Sequence, residues 1–319
     1  MNSRVELSVI IVNYQTREFL ITCLSSIYRT CQGLNIEIIV IDNNSGDNSV
    51  GMIKESFPSV ISIENQINVG FAPASNQGLR IMKGDYALLL NPDTEVISNT
   101  LQKMLEYMKN HERVGILGCR IIDKNGNIQR SAFPPASSFG EINDILYKFK
   151  LERMLPARLT YRRYHDLLKN GGRPFKVGWV TGACLMIRKE TIDDIGLLDE
   201  NLFLFSEDVD WCIRATKKGW EVMCHPAVSI IHYIGGSSKI DTEEVAIRIE
   251  HHYKRRPYFA KKHFGIMGLI FITLVMLCDI LVRMIIISLN LKPNTTQQGK
   301  QIFLRAYKSA LKSVLGSGQ

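Results

Sequence analysis

Short apolar runs alternate with helix-period patterns along the first third of the chain. The runs are rich in Val and Ile, which is typical of buried strands. We predict strands at residues 7–12, 37–41, 60–64 and 86–90, and helices at residues 17–30, 47–57, 74–82 and 98–110. This alternation indicates an α/β fold with a mostly parallel sheet flanked by helices. Ligands of such sheets bind beyond the carboxyl ends of the strands, so the loops after Val12, Ile41 and Leu90 are the places to search.

The pattern changes after the fourth predicted helix. An apolar run at residues 114–123, the dipeptide Asn125-Gly126 and a second apolar run predict a hairpin, and the sheet therefore becomes mixed. Residues 134–176 carry Pro, Gly, charges and aromatic side chains without a clear period, which favours an acceptor-side insertion or lid. Further strands are predicted near Val180 and at 184–188 and 228–232, and a helix begins near Glu207.

The C-terminal part of the chain has a different pattern. Residues 264–289 are almost wholly apolar and, as a helix, approach the thickness of a bilayer. Asp279 and Arg283 interrupt this run one helical turn apart, where they can pair. A spanning helix, a re-entrant helix and a helix lying in the interface remain open, and we favour membrane embedding. The basic flank at residues 251–263 places the rest of the chain on the cytoplasmic side.

These patterns predict three parts. A sheet domain occupies residues 1–250, a basic flank with the apolar helix occupies 251–290, and a basic amphipathic tail occupies 291–319. The tail is typical of a helix at a membrane surface. An ordinary packed helix is the alternative.

Charge and cysteine content narrow the class of protein. The 319 residues carry a net charge of +8, which favours an anionic partner. The basic residues gather beside the apolar C-terminal run, and no zinc-finger, RNP or basic-zipper pattern occurs, so we expect a phospholipid surface and no nucleic acid. The seven cysteines form no CxxC pair, which favours a reducing, cytoplasmic setting.

Three groups of polar residues follow predicted strands. Asn91-Pro92-Asp93-Thr94 follows the strand at 86–90, where a carboxylate is well placed to hold a divalent cation, although these are also common turn residues. Asp42-Asn43-Asn44-Ser45 follows the strand at 37–41 and can bind a nucleobase and ribose, with a helix N-cap as the alternative. Asn68-Val69-Gly70-Phe71 allows close backbone approach to a ligand, or forms a plain turn.

Two further positions carry candidate chemistry. Glu207 and Asp208 open a predicted helix, where acidic residues are favoured by the helix dipole whatever the function. His232 ends an apolar run, and a lone histidine in such a place is more often structural than a ligand.

Taken in order, these segments resemble the family 2 glycosyltransferases with the GT-A fold. They are most similar to the rhamnosyltransferase-like members that build bacterial surface polysaccharides. The resemblance covers roughly residues 8–238 and rests on residues 10–14, 40–45, 68–71, 90–94, 181–184, 207–210 and His232.

The resemblance implies a donor site. By it, Asp42 binds the nucleobase, and Asn13 and Asn44 lie near the nucleotide. Asn68 and Gly70 lie along the diphosphate and the sugar. Two more positions, Asn91 and Gly182, are matched to the donor-binding set.

The resemblance also implies a metal site and a base. Asp93 matches the metal-binding end of the family's DxD motif and His232 its metal-binding histidine, for Mg²⁺ or Mn²⁺. Asn91 stands where the first Asp usually is, which puts its metal contact in doubt. Asp208 matches the catalytic base, and Glu207 supports it.

The predicted protein is an inverting, metal-dependent hexosyltransferase. The expected donor is a dTDP- or UDP-sugar, and the expected acceptor is a lipid-linked glycan at the cytoplasmic face of the plasma membrane. A dehydrogenase is disfavoured, because no GxGxxG follows the first predicted strand. A non-catalytic, membrane-associated protein that binds nucleotide sugars is the alternative from another class.

Overall fold

The computed structural model describes residues 4–137, 160–202, 206–233, 242–289 and 297–316. The chain divides into two compact units. The first comprises Met1–Pro135, Ala157–Glu200 and Glu207–Ser238, and the second comprises Ala136–Pro156, Asn201–Ser206 and Lys239–Gln319.

The first unit is a sheet covered by helices. Its strands are β1 (Leu7–Asn13), β2 (Ile36–Asp42), β3 (Ile61–Glu64), β4 (Tyr86–Leu90), β5 (Thr94–Val96), β6 (Val114–Ile122), β7 (Ile128–Gln129), β8 (Ala132–Phe133), β9 (Phe175–Lys176), β10 (Trp179–Val180), β11 (Cys184–Arg188) and β12 (Glu221–His232). Its helices are α1 (Arg17–Thr30), α2 (Ser49–Ser56), α3 (Phe71–Ile81), α4 (Thr100–Lys109), α5 (Arg162–Asn170), α6 (Lys189–Ile195) and α7 (Glu207–Lys217).

The main sheet has the order β3-β2-β1-β4-β11-β6-β12-β5. Strands β3, β2, β1 and β4 are parallel, and β11 runs antiparallel to both β4 and β6. Strand β12 pairs parallel with β6 and antiparallel with β5. This mixed α/β sheet confirms the predicted fold class.

Burial on both faces explains why the central strands are continuous apolar runs. Every residue of β1 is buried. Leu7, Val9 and Ile11 pack into the hydrophobic cluster that includes α1, α2 and α4. Ile10 and Val12 pack into the opposite cluster, which includes α3 and α7. Each large side chain buried in this way contributes about 1.5–3 kcal/mol, so the sheet rigidly positions the loops at its edge.

The observed elements differ from the predicted ones mainly at their ends. The Asn125-Gly126 hairpin is confirmed: β6 and β7 pair antiparallel, and Gly126 has a φ of 82°. Helix α3 begins at Phe71, earlier than predicted, because Gly70 takes a φ of 90° that allows the chain to enter the helix there. Strand β5 and helix α6 were not predicted, since three and seven residues are too few to show a period.

Most of the insertion expected at residues 134–176 lies outside the described residues, because the structure describes none of 138–159. Its remaining part forms α5 and β9. Strand β9 pairs with β12 at the edge of the main sheet.

The second unit contains α8 (Thr242–Ser288) and α9 (Gln297–Gly316). Of the described residues, one helical segment, Ile249–Ser288, is long and apolar enough to cross a membrane. The helix is interrupted at Gly265, whose φ of 67° and ψ of −164° are not helical. The predicted apolar run therefore corresponds to the part of α8 around and after this break. Helix α9 packs against α8 through Tyr307, Ala310 and Val314.

Candidate active site

The loops after β1 and β2 are joined by buried hydrogen bonds. The parallel register places Asn13 opposite Asp42 at the ends of these strands. The Asn13 Nδ2 group donates to Asp42 Oδ1 at 2.7 Å and to Ser45 Oγ at 2.9 Å. The Ser45 N–H donates to Asp42 Oδ2 at 2.9 Å, and the Ser45 hydroxyl also donates to Oδ1. Asn44 is exposed beside them with a φ of 62°. These bonds fix the orientation of the Asp42 carboxylate.

Asn43 connects this loop to the N-terminus of α3. Its Nδ2 group donates to the carbonyl oxygen of Gly70 at 3.2 Å, and its Oδ1 accepts from Asn65 at 2.9 Å. The Gly70 N–H in turn donates to Asn68 Oδ1 at 3.0 Å. The segment with Asn68 and Gly70 is therefore held beside the end of β2, where the N-terminus of α3 favours a negative charge.

Asp93 and His232 meet at the end of β4. Strand β5 pairs Thr94 with His232, and the Tyr233 N–H donates to the carbonyl oxygen of Asp93 at 2.8 Å. As a result, Asp93 Oδ1 lies 3.3 Å from His232 Nε2. The Asn91 Nδ2 group lies 3.5 Å from the same ring nitrogen.

Gln129 determines which ring nitrogen of His232 faces Asp93. Its Oε1 lies 3.0 Å from His232 Nδ1, and its Nε2 donates to the His232 carbonyl oxygen at 2.8 Å. Because Oε1 can only accept, this bond assigns the proton of a neutral His232 to Nδ1. The Nε2 lone pair then faces the Asp93 carboxylate.

This arrangement fits a divalent cation with few protein ligands. Two adjacent ligands of an octahedral ion with bonds of ~2.1 Å lie ~3 Å apart, close to the observed Asp93–His232 separation of 3.3 Å. Among the described residues no three His, Cys, Asp or Glu side chains gather as a metal cage. A catalytic Mg²⁺ or Mn²⁺ site commonly takes its other ligands from substrate phosphates and water.

Glu207 and Asp208 open α7. The carboxylate of Asp208 accepts from the Gly182 N–H at 2.9 Å and from the Val209 N–H at 2.8 Å. Burial raises the pKa of Asp208 despite these two bonds, which lower it. Glu207 is buried, and its Oε2 has no hydrogen-bond partner among the described residues. Burial, followed by the neighbouring Asp208 charge, raises the pKa of Glu207 well above its ordinary value.

Gly182 and Ala183 connect Asp208 to the loop that carries Asn91 and Asp93. Strand β11 pairs Cys184 with Leu90, and the Asn91 N–H donates to the Ala183 carbonyl oxygen at 3.1 Å. A Cβ atom on Gly182 would lie 3.7 Å from the Cβ of Asp208 and 3.9 Å from the ring of Phe71 at the start of α3. A chain of direct contacts therefore brings Asp208, Asp93 and His232 to one end of the sheet.

Sequence reasoning missed three contributors to this region. Asn43 lies within the motif Asp42-Asn43-Asn44-Ser45, but the family resemblance places its neighbour Asn44, and not Asn43, near the nucleotide. Gln129 lies on a two-residue strand and carries no sequence signal of its own. An aromatic cluster was also missed: the rings of Phe133 and Trp179 stack with centroids 3.6 Å apart, and Tyr161 meets Phe133 edge-on.

Comparisons with known proteins identify the family. The model of glycosyl transferase family 2 matches residues 8–196, more than half of the chain. The chain belongs to this family. The match confirms the family that the sequence motifs indicated. It also agrees with the absence of GxGxxG after the first strand, which disfavoured a dehydrogenase.

Two relatives of this family 2 glycosyltransferase carry specific names. The N-acetylglucosaminyl-diphospho-decaprenol L-rhamnosyltransferase of Mycobacterium tuberculosis is 27% identical over 242 residues, which cover 72% of this chain and 76% of the relative. The dTDP-rhamnosyl transferase RfbF of Shigella flexneri is 23% identical over 244 residues, covering 75% and 72%. The similarity to rhamnosyltransferases agrees with the predicted branch of the family.

A solved structure is similar to this glycosyltransferase in fold. The mannosyltransferase PcManGT of Pyrobaculum calidifontis, in complex with GDP-Man and Mn²⁺, aligns with a TM-score of 0.55 at 14% identity. The alignment covers 100% of this chain and 89% of that one. The fold is therefore GT-A.

Proposed function

We propose that this protein is an inverting, metal-dependent glycosyltransferase that transfers rhamnose or another hexose from a dTDP- or UDP-sugar. The proposed acceptor is a hydroxyl of a lipid-linked glycan. One observation carries the proposal: the Asp93–His232 pair, at 3.3 Å, is linked through Asn91, Ala183 and Gly182 to the Asp208 carboxylate.

The geometry after β2 supports a role for Asp42 in binding the nucleobase. An ionised carboxylate offers about four acceptor positions, and hydrogen bonds from Asn13 and Ser45 occupy three of them. The remaining position on Oδ2 suits the N3–H of uracil or thymine. Asn44 lies exposed beside it for the ribose.

The N-terminus of α3 supports a diphosphate site. Gly70 brings the backbone close without a side chain, and the helix dipole favours the negative charge there. Asn68 orients the Gly70 amide, and Gly182 lies near Phe71 and Asp208 between the donor and the base.

Asp93 and His232 would hold the divalent ion beside this diphosphate. The Asn91 amide lies within reach of the same position, in place of the family's usual carboxylate. When bound, the ion supplies positive charge that stabilises the departing nucleoside diphosphate. Its identity, Mg²⁺ or Mn²⁺, is open to test, and the imidazole ligand favours Mn²⁺.

Asp208 is the proposed general base. It takes the proton of the acceptor hydroxyl while that oxygen forms its bond to the anomeric carbon. The bond from this carbon to the phosphate oxygen breaks, and its electron pair leaves with the nucleoside diphosphate. A raised pKa makes Asp208 a stronger base than an ordinary aspartate. Burial and the Asp208 charge raise the pKa of Glu207 well above its ordinary value, and Glu207 is proposed to remain protonated beside it.

The acceptor and the location come from the relatives and the C-terminal unit. The Mycobacterium tuberculosis relative is named for a decaprenol-linked substrate, and the second unit of this chain carries a long apolar helix. We therefore assign the reaction to the cytoplasmic face of the plasma membrane. The aromatic cluster at Trp179, three residues before Gly182, is the proposed platform for the acceptor sugar.

The test is a thermal-shift panel followed by turnover. Nucleotide sugars that bind the folded state raise its apparent stability by mass action. We expect a dTDP- or UDP-sugar to raise the melting temperature only with Mn²⁺ or Mg²⁺, and the same donor to be consumed when a lipid-linked acceptor is added. Binding without any transfer would support the non-catalytic alternative instead.

A further inference from the structure

The break at Gly265 turns α8 back on itself. The Tyr253 hydroxyl donates to the Asp279 carboxylate. At a rise of ~1.5 Å per residue, Tyr253 lies ~18 Å before Gly265 along the helix and Asp279 lies ~21 Å after it. Two side chains this far from the break can touch only if the two halves of α8 lie side by side in opposite directions. The helix is therefore a hairpin, and its second half is Ile266–Ser288.

The second half has one exposed apolar face along its whole length of ~35 Å. The exposed fractions of its side chains are 62% at Ile266, 49% at Ile270, 57% at Leu274, 50% at Leu281 and 55% at Ile285. Spacings of four and seven residues place them on one side of the helix. The buried side chains are Ile272, Met276, Ile280 and Ile287, on the opposite side.

The opposite side packs against protein and carries the polar groups. The guanidinium of Arg283 donates to Asp279 at 2.8 Å, and the Tyr253 ring meets the Tyr307 ring of α9 with centroids 6.1 Å apart. The charges inside the apolar run are thus met by the first half of α8 and by α9. No water-filled path or second spanning helix is needed to stabilise them.

The two helices packed against this side are strongly basic. Lys254 and Lys261 on the first half of α8 are exposed, as are Arg305, Lys308 and Lys312 on α9. If the second half crossed the bilayer, its packing partners would enter the hydrocarbon with these cations. Lysine and arginine are costly there, but they are favoured at the level of anionic headgroups.

We infer that the second unit is monotopic: the second half of α8 lies in the plane of one leaflet of an anionic bilayer, and the chain does not cross it. The apolar face enters the boundary between headgroups and acyl chains, and the cations of α8 and α9 contact lipid phosphates. The same basic residues disfavour a second copy of the chain as the occupant, because both copies would carry the same excess of positive charge in this unit and would repel. The inference rests on the membrane association in the proposed function and is independent of its chemistry.

A depth measurement on the full chain tests this inference. Cys278 is exposed on the second half of α8, whereas the other six cysteines are buried, so a nitroxide label can be attached there. The same label is placed at Met267→Cys and Ile285→Cys in a Cys278→Ser background. In vesicles of phosphatidylglycerol and phosphatidylethanolamine, power saturation should place all three labels at one depth, ~5–10 Å below the headgroups. A label at Cys278 ~15 Å deep, with the other two shallow, would overturn it in favour of a spanning helix.

Vesicle flotation provides a second measurement. Ile270→Glu on the exposed face should reduce vesicle binding by tenfold or more. Ile81→Glu, the same change at an exposed isoleucine of the first unit, should leave binding unchanged. Equal flotation of both variants would contradict the inference. So would an unsubstituted chain that forms a stable dimer in light scattering and does not float with the vesicles. Neither readout needs turnover, so this result stays separate from a failure of the proposed chemistry.

Discussion

Two regions of the molecule bury carboxylates, and they satisfy them differently. In the helical unit, Asp279 accepts from both Arg283 and Tyr253. At the end of the sheet and among the described residues, Glu207 has a buried oxygen with no partner, and Asp208 accepts from backbone N–H groups but forms no ion pair. Burial of an unpaired carboxylate is unfavourable and persists mainly where the charge has a function. A buried acid that is paired with a cation thus indicates a structural role. A buried acid with unused acceptor positions indicates a catalytic role.

The largest expected effect is at Asp208. Asp208→Asn removes the proton acceptor while keeping the side-chain shape, so kcat should fall by about 10²–10⁴-fold and the Kd of the donor should change little. Calorimetry and product assays measure both. Asp210→Asn is the matched control two residues on, where Arg214 already neutralises the acid. It should lower stability and leave kcat per folded enzyme unchanged; a kcat loss equal to that of Asp208→Asn would break the comparison.

The next largest effect is expected on stability, at the Asp279–Arg283 pair. Arg283→Met removes the guanidinium that donates to Asp279. We expect the free energy of unfolding to fall by ~1–3 kcal/mol, below the ~3–5 kcal/mol of a fully buried pair, since 29% of the Arg283 side chain is exposed. Hydrogen exchange of α8 and α9 measures the change, while kcat should stay the same. The double variant Asp279→Leu with Arg283→Met should regain most of the stability. If it remains as unstable as the single variant, the pair is not the cause.

Gln129 should influence the metal site indirectly. Gln129→Ala removes the partner that orients His232, and partners of metal ligands typically contribute ~10–100-fold to metal affinity. The concentration of Mn²⁺ needed for half-maximal turnover should rise accordingly. The control is Asn127→Ala on the same hairpin, because the Asn127 side chain donates to Asp123 within the turn. An unchanged Mn²⁺ requirement in Gln129→Ala would argue against His232 as a ligand.

Glu207 should tolerate substitution better than Asp208. Burial and the neighbouring Asp208 charge raise its pKa well above the ordinary value, which favours the protonated form, and Gln resembles that form. We expect kcat of Glu207→Gln to stay within ~10-fold, less than the loss of a general base. Activity should fall as the pH drops through the raised pKa of Asp208, because the base becomes protonated. A marked shift of this acid limb in Glu207→Gln would show that Glu207 carries charge.

The smallest expected effect concerns Trp179, an aromatic side chain that we propose contacts the acceptor. Trp179 stacks on Phe133 and is half-buried, so part of its ring remains available for an acceptor sugar. Aromatic contacts contribute ~0.5–1.5 kcal/mol, so Trp179→Ala should raise the acceptor KM by ~2–10-fold with the donor KM unchanged. Trp220→Ala, where the indole donates to Asp194, is the control. Equal effects on both substrates would remove Trp179 from the acceptor side.

Strands buried on both faces of the sheet could be predicted from the sequence. Short strands that exist only because they pair with a distant strand could not. The apolar runs at 7–12 and 86–90 have the composition of central strands, and they form β1 and β4. Strand β5 is three residues long and exists because Val96 pairs with Ile230 of β12. The turn at Gly265 was equally hidden, because a glycine in an apolar run does not show by itself that the helix reverses there.

The sequence by itself determined the chemistry available at each loop, since side-chain identity and strand ends follow from local composition. It also determined the family, through motifs that keep their order along the chain. Only the tertiary structure decided that Nε2 of His232 faces Asp93 and that Gly182 reaches Asp208. Those contacts join residues far apart in the chain, and they depend on strand register and on Gln129, which no local pattern encodes.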